Sequence, residues 1–188
     1  MKPGKPTALY YIALLPPENI RQEVTALKEH AAEAFHSSKA LNSPPHITLI
    51  PPFRIEISRE AELLERVHTC RRPWVSFPVV LDGFGHFSNE VIYVNVCPNS
   101  ALNAFRAELM ACLDPDMVTE TARTRPFRPH MTVAFRDLTP DGFLAAWQYY
   151  GNVNYSRDFS AFPPVVLRHT GRIWSVIGPP AEPQSGES

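Results

Sequence analysis

The sequence predicts an α+β fold in which two lobes with antiparallel sheets flank a central cleft. Its 188 residues are enough for one domain but too few for several. Short apolar runs alternate with longer segments of helical periodicity. The same order of elements also occurs twice, because ALYYIALLPP and PPHITL enclose a helix and a loop, as do VIYVNVCP and RPHMTV. Two similar strand-helix-strand units of this kind usually pack through equivalent sheets.

The first unit covers about residues 8–57. An apolar run stopped by two prolines predicts a buried strand, and apolar residues at three- and four-residue steps then predict a helix. A short segment between two proline pairs predicts the next strand, because proline lacks the amide hydrogen that a sheet ladder needs. The predicted elements are a strand over 8–15, a helix over 18–35, a strand over 46–50 and a helix starting near Ser58.

The second unit covers about residues 90–138. Two apolar or alternating runs on either side of a glycine-containing turn predict a pair of antiparallel strands. The predicted elements are strands over 74–81 and 91–97, a helix over about 102–112, a polar loop over 114–129, a strand over 130–135, a helix capped by Thr139, and closing strands near 159, 165–167 and 173–177. We predict one domain over residues 1–178, followed by a disordered tail over 179–188.

Composition excludes several classes of protein. Eighteen Lys and Arg against nineteen Asp and Glu leave a net charge of -1, so the chain lacks the positive field of proteins that grip long nucleic acids. No stretch reaches the roughly 18 to 20 apolar residues of a membrane span. The three cysteines have no C-x-x-C spacing, which argues against a disulfide framework and a thiolate metal site. We therefore predict a cytoplasmic monomer with reduced thiols, no membrane partner and no long nucleic-acid track.

Two H-x-T segments each present an imidazole and a hydroxyl on one side of a predicted strand. Side chains alternate along a strand, so His46 and Thr48 point to one face and their apolar neighbours to the other. His130 and Thr132 repeat this pattern. A pseudo-two-fold arrangement of the units would place the two strands side by side, so that the four polar groups converge in the cleft.

The repetition makes coincidence a poor explanation for these segments. Seven His and ten Thr in 188 residues give about 0.4 H-x-T segments per chain by chance, so a single segment is uninformative. This chain has two, and each follows a proline. Buried histidines kept for packing and a zinc site are the alternatives. Zinc needs a third protein ligand, and neither segment contains a further Asp, Glu, Cys or His.

The segments PPHITLIPPF and RPFRPHMTVAFRDL resemble those of the two-histidine phosphoesterase superfamily, specifically the 2′-5′ RNA ligase-like, LigT-type proteins. The order of elements extends the resemblance over about residues 8–177. The resemblance implies a bilobal two-histidine phosphoesterase-like fold and a phosphodiesterase or reversible ligase that acts on 2′,3′-cyclic or 2′-5′ phosphodiesters without a metal or other cofactor. It also implies catalysis by the residues matching His46, Thr48, His130 and Thr132.

The residue types suit this chemistry. Opening a cyclic phosphodiester needs a base that deprotonates water and an acid that protonates the departing ribose oxygen on the opposite side of the phosphorus. The ordinary histidine pKa of about 6.5 allows one imidazole to be neutral and the other protonated, and exchange of the roles allows ligation. Thr48 and Thr132 can donate hydrogen bonds to the non-bridging oxygens, where negative charge builds up. The sequence does not say which histidine is the acid.

Four arginines are weaker candidates for phosphate binding. Arg123, Arg125 and Arg128 precede the second segment and would either add positive potential or form a solvated basic loop. Many relatives have Arg five residues after the second histidine, where this chain has Phe135 followed by Arg136. Arg136 is therefore a candidate replacement, although a shift of one residue along a strand reverses the face.

Four aromatic residues are candidates for the walls of the cleft. His86 and Phe87 follow Gly85 in a predicted turn, and they would either stack on a base at the cleft mouth or simply be exposed. Tyr11 and Tyr93 occupy comparable positions in the two units, and we expect them to pack in the core rather than to line the cleft.

Two functional hypotheses follow from these residues. The first is a metal-independent phosphodiesterase, or reversible RNA ligase, whose substrate is a small nucleotide or an RNA terminus. The alternative is a non-catalytic nucleotide or RNA-end binding module that uses the same four polar groups as a phosphate cradle. The presence of both histidines favours catalysis, because binding alone would be served by any hydrogen-bond donors.

Overall fold

Two four-stranded antiparallel sheets form the framework of the computed structural model, which describes residues 5–178. Within these residues the strands are β1 (Thr7–Leu14), β2 (Ile47–Glu56), β3 (Pro78–Phe87), β4 (Val91–Val96), β5 (His130–Phe135), β6 (Ser156–Ser160), β7 (Val165–His169) and β8 (Trp174–Ile177). The helices are α1 (Glu18–Phe35), α2 (Glu60–Thr69), α3 (Ser100–Cys112), α4 (Glu120–Thr124) and α5 (Pro140–Tyr150). None of these helices combines the length and apolarity that crossing a bilayer requires.

The strand order shows the internal duplication. One sheet has the order β2-β1-β7-β8, and the other has the order β5-β4-β3-β6. β1, α1 and β2 of the first lobe therefore correspond to β4, α3 and β5 of the second lobe. The edge strands β2 and β5 contact each other, so the lobes meet at the strands of the two H-x-T segments. The predicted α+β fold with two pseudo-symmetric units is confirmed.

One hydrophobic core runs through both lobes. α1 packs against β5 and α5, whereas α3 packs against β2 and α2, so each of these helices contacts the H-x-T strand of the other unit. Apolar side chains from both sheets belong to the same buried cluster, which makes apolar burial the shared source of stability. The boundaries of a single domain over 1–178 stay a prediction, and the predicted tail over 179–188 lies outside the described residues.

β2 is longer than predicted, because Pro51 and Pro52 do not end it. The strand continues to Glu56 at the edge of its sheet. Its register with β1 shifts between the pairs Tyr10–Phe53 and Ile12–Ile50, so the two prolines lie in a bulge. A bulge on an edge strand is one of the few places in a sheet that tolerates residues without an amide hydrogen.

β3 also differs from the prediction. It starts at Pro78 rather than four residues earlier and runs through Gly83 and Gly85 to Phe87, so the turn to β4 consists of residues 88–90. Gly83 has a φ of +62° at a register shift, a conformation that favours glycine. Gly85 pairs with Tyr93 in the ladder. The predicted turn at His86 and Phe87 is therefore wrong.

Cys70 and Cys112 form a disulfide, which contradicts the prediction of reduced thiols for this pair. The two cysteines lie at the C-terminal ends of the adjacent helices α2 and α3, and their Cα atoms are 5.7 Å apart. The pairing depends on helix packing across 42 residues of sequence, which cysteine spacing does not reveal. The cytoplasmic location, which rested partly on the cysteines, stays a prediction.

Candidate active site

His46 and His130 lie at the start of the two adjoining edge strands. His46 immediately precedes β2, and His130 is the first residue of β5. β5 pairs with β4 so that His130 is opposite Asn95 and Thr132 is opposite Tyr93. Directly opposite residues of an antiparallel pair share a face, so all four side chains project from the side of the sheet that the core does not cover.

Both H-x-T strands carry the same local distortion. In β2 the register with β1 shifts directly after Thr48, where Leu49 is the extra residue. In β5 the register with β4 shifts directly after Thr132, where Val133 is the extra residue. A bulge bends its strand and increases the local twist. The apolar residues on the opposite side of both strands are buried, namely Ile47, Leu49, Ile50, Met131, Val133 and Ala134.

The same hydrogen bond holds each histidine ring. His46 Nδ1 lies 2.7 Å from the carbonyl oxygen of Pro44, and His130 Nδ1 lies 2.6 Å from that of Arg128. A carbonyl oxygen only accepts, so Nδ1 carries a hydrogen in both rings and donates it. The Nε2 atoms are therefore the nitrogens available for proton transfer.

A tyrosine packs against each histidine. The ring of Tyr11 lies 4.8 Å from that of His46, and the ring of Tyr93 lies 5.0 Å from that of His130. The Tyr11 hydroxyl lies 2.9 Å from Ser43 Oγ and 3.4 Å from His46 Nδ1. Tyr11 packs in the core as expected, whereas Tyr93 is only half-buried, and both rings also contact the imidazoles.

Burial lowers the pKa of both histidines. It lowers the pKa of His46 from 6.5 to about 4, against the raising effect of the hydrogen bond to Pro44, and the charges of Lys28 and His130 lower this pKa further. Burial also lowers the pKa of His130, and the charge of Arg125 adds to this effect. The charge of His130 lowers the pKa of His46, so protonation of His130 favours a neutral His46.

Lys28 is a buried cation that the sequence analysis did not single out. Only 2% of the residue is exposed, and its ammonium group donates to the carbonyl oxygens of Ala40 at 3.1 Å and Ser43 at 2.9 Å. Burial lowers its pKa to about 7. The lysine holds the loop that supplies Ser43 and leads to His46. Its position four residues after Val24, on the apolar stripe of α1, was the available signal.

The family model of the 2'-5' RNA ligase superfamily matches residues 16–168 of this chain. The chain belongs to the 2'-5' RNA ligase superfamily. The matched region includes both H-x-T segments, the two helices that follow β1 and β4, the whole of the second sheet, and β2 and most of β7 of the first sheet. No curated protein matches the chain.

Solved structures share the fold of this superfamily member. TT0787 of Thermus thermophilus is 17% identical, with a TM-score of 0.64 over 90% of this chain and 95% of that chain. E. coli LigT complexed with 3'-AMP is 16% identical, with a TM-score of 0.65 over 92% of this chain and 97% of that chain. A structure described as a phosphoesterase is 16% identical, with a TM-score of 0.61 over the same shares of the two chains.

The superfamily member departs from many relatives after its second H-x-T segment. Phe135 is opposite Val91, which alternates with Tyr93 on β4, so the bulge at Val133 brings Phe135 to the same face as His130. Arg136 follows the strand with a φ of 68°, and its guanidinium group lies 4.7 Å from the ring of Phe135. The structure therefore leaves Arg136 exposed at the end of β5 remote from His130.

The three arginines before His130 have different surroundings. Arg123 donates to four carbonyl oxygens near the end of α3, at 3.1 to 3.5 Å, and so supports the loop rather than a phosphate. Arg125 is exposed, and its charge reaches His130. Arg128 is also exposed, and it holds His130 through its carbonyl oxygen.

His86 and Phe87 point to opposite sides of β3. The His86 ring lies 5.4 Å from Phe143 and 4.7 Å from Trp147 of α5, away from the paired histidines. The Phe87 ring lies 4.4 Å from Tyr93 and 4.8 Å from His130. Of these two candidates, the structure brings Phe87 to the site.

The described residues do not supply a third protein ligand for the zinc alternative. Among residues 5–178, no three His, Cys, Asp or Glu side chains lie close enough together to hold a metal ion. The pair His46 and His130 thus has no third ligand of these types in this part of the chain, which is what zinc coordination by protein side chains usually requires.

Proposed function

We propose that this member of the superfamily is a metal-independent phosphoesterase acting on 2′,3′-cyclic phosphates or 2′-5′ phosphodiesters of small nucleotides and RNA ends. One observation carries the proposal. His46 and His130, at the start of adjoining strands, both use Nδ1 in a hydrogen bond to a carbonyl oxygen and so keep Nε2 for proton transfer. Two such imidazoles supply the base and the acid that an in-line displacement at phosphorus needs.

The difference between the two histidines supports separate roles in hydrolysis. His46, whose pKa burial lowers to about 4, is neutral near neutral pH and suits the base. A water oxygen then attacks phosphorus while its proton passes to His46 Nε2. The bond between phosphorus and one ribose oxygen breaks, and that oxygen receives the proton of His130 Nε2. The product from a cyclic phosphate is a nucleoside monophosphate, and a 5′-hydroxyl that attacks in place of water gives a 2′-5′ phosphodiester by the same steps.

Thr48 and Thr132 complete the proposed phosphate site. Each hydroxyl shares the face of its strand with the neighbouring histidine, and neither makes a hydrogen bond to another described side chain. Hydroxyl donors suit the non-bridging oxygens, because negative charge on these oxygens increases as the nucleophile adds to phosphorus.

Assays on nucleoside 2′,3′-cyclic phosphates and 2′-5′ dinucleotides test the proposal. We expect turnover by the wild-type protein that survives a chelator and is lost in His46→Ala and in His130→Ala. The double variant should be hardly slower than either single variant, because acid and base act on one transition state. The matched control is His86→Ala, which removes an exposed imidazole on the other side of β3 and should retain turnover.

Two results would contradict the proposal. Modest and additive losses in the single variants would contradict the acid-base assignment. Nucleotide binding without turnover in the wild-type protein would favour the non-catalytic binding module.

A further inference from the structure

A cavity of about 400 Å³ adjoins His130 on the second lobe. Phe87 and Tyr93, whose rings contact the His130 ring, also line the cavity. Arg128, whose carbonyl oxygen holds His130 Nδ1, lines it from the other side. The cavity is therefore separated from the His130 ring only by the rings that contact it. Its volume is near the lower end of the range of small-molecule sites, about 300 to 1,000 Å³, and suits one nucleoside.

The walls of the cavity combine an aromatic ring with free amides. Phe127 is fixed by Arg106, whose guanidinium group lies 5.1 Å from the ring and donates to the carbonyl oxygens of Leu49 and Ala122. Asn95 and Asn103 also line the cavity, and their side chains make no hydrogen bond to any residue in the range 5–178. Rings that stack and amides with both donors and acceptors are the groups that bind nucleobases.

Gly85 leaves space in the cavity beside Asn95, because it has no side chain. A Cβ atom at Gly85 would lie 2.6 Å from Asn95 Oδ1 and 2.7 Å from a ring carbon of Tyr93. Any side chain at this position would therefore displace the amide and the ring that border the cavity. Gly85 lies within β3 rather than in the predicted turn, and it leaves space on the open face of that strand.

The corresponding cavity of the first lobe has a different lining. It measures about 530 Å³ and lies between the start of α1 and the loop before His46; its lining residues are Glu18, Arg21, Gln22, Thr25, Pro44 and Pro45. Glu18 and Arg21 pair with each other. No aromatic ring lines this cavity. The two-fold similarity of the lobes is thus broken beside the phosphate site, and the groups suited to a base are on the side of His130.

We infer that the cavity lined by Tyr93, Asn95, Asn103, Phe127 and Arg128 binds the nucleobase of the substrate. The inference rests on the proposed function for the position of the phosphate. With the base in this cavity, the ribose lies between the base and the phosphate, on the side of His130. This orientation presents a ribose oxygen to His130 as the leaving group and leaves the His46 side open to water.

Calorimetric titration with 3′-AMP, 3′-CMP and inorganic phosphate tests the inference. We expect Asn95→Ala and Phe127→Leu each to weaken the binding of both nucleotides about fivefold or more, the lower range of stacking effects. Binding of inorganic phosphate should be unchanged. Asn89→Ala, in the exposed turn after β3, is the matched control. Phe127→Leu keeps an apolar side chain against the core, and Asn95→Ala removes a side chain outside it, so at least one variant should fold normally.

Turnover of 2′,3′-cyclic nucleotides is measured in parallel. This measurement distinguishes failure of the base site from failure of the proposed catalysis. If the wild-type protein turns over substrate but neither variant changes nucleotide affinity, the proposed function stands and the base site is overturned. If there is no turnover but both variants lose base-dependent affinity, the base site stands and the proposed catalysis is overturned. Equal affinity for phosphate and for both nucleotides also overturns the base site.

Discussion

The paired histidines have the same hydrogen bond but different electrostatic surroundings. His46 lies near the charge of Lys28 inside the protein, whereas His130 lies near the exposed Arg125. A buried charge is screened less by solvent than an exposed one. The duplicated motif thus contains two imidazoles that differ in acidity, which is what a reaction with one base and one acid requires.

From the two histidines we predict that kcat/KM has a bell-shaped pH profile with an acidic optimum. His46 must be neutral to act as base, so kcat/KM should fall as pH drops through about 4. His130 must be protonated to act as acid, so kcat/KM should fall as pH rises through its pKa, which burial holds below 6.5. Initial rates across pH 3 to 9 check this expectation, and an optimum above about pH 7 would contradict it.

A further prediction concerns Lys28. Its ammonium group donates to the carbonyl oxygen of Ser43, whose hydroxyl contacts the Tyr11 hydroxyl beside His46. Its charge lowers the pKa of His46, and it is protonated below about pH 7. Lys28→Met should therefore move the acidic limb of the kcat/KM profile to higher pH. Lys39→Met, which removes an exposed lysine from the same loop, should leave the limb in place. An acidic limb unchanged in Lys28→Met would show that the lysine acts only in packing.

At the scale of elements, periodicity predicts helices and strands better than it predicts their partners. The stripe of α1 and the alternation of β5 are local, and both elements begin and end where the sequence indicates. The continuation of β2 through Pro51 depends on its edge position and on the pairing with β1, which are properties of the whole sheet. The burial of Lys28 was not predictable for a similar reason, because it depends on the loop that covers this lysine.

The disulfide between α2 and α3 leads to a prediction about stability. Closing a loop of 42 residues in the unfolded chain corresponds to about 4 kcal/mol in the chain-entropy estimate. Cys70→Ser with Cys112→Ser should lower the free energy of unfolding by up to this amount, measured by urea denaturation. Activity at a temperature where the variant is folded should be retained, because the site lies at β2 and β5. Cys97→Ser is the control, and equal stability of both variants would contradict the expectation.

For the molecule as a whole, the shared core and the small net charge both bear on function. α1 and α3 contact the H-x-T strand of the opposite unit, so the lobes cannot separate without exposing apolar surface. The site is therefore largely formed before substrate arrives. The two lobes were predictable from the repeated segments, whereas the asymmetry of the two cavities was not, because it depends on side chains from several distant elements.

For the whole molecule we predict that short nucleotides and RNA ends bind about as well as long RNA. Eighteen Lys and Arg are balanced by nineteen Asp and Glu, so the chain has no excess of positive charge to follow a long phosphate backbone. Each phosphate contacted in a single strand contributes about -0.7 to the slope of log affinity against log salt, so one or two contacts give a slope of about -0.7 to -1.4. Titration of His130→Ala with oligonucleotides of increasing length at several salt concentrations measures this slope. Affinity that rises steadily with length would reveal an RNA track outside the cavity.

The bulges after Thr48 and Thr132 make the geometry of the centre depend on residue count as well as residue type. Each adds one residue to an H-x-T strand, so that two consecutive apolar side chains face the core before the alternation resumes. Removal of Leu49 or Val133 would leave Ile50 and Ala134 opposite their present partners on regular strands, but it would lose a buried apolar side chain and the bend that follows each threonine. In a library that includes deletions as well as substitutions, deletion of Leu49 or Val133 should be far less tolerated than a conservative apolar replacement of the same residue. The H-x-T strands should thus tolerate apolar substitutions at these positions better than deletions.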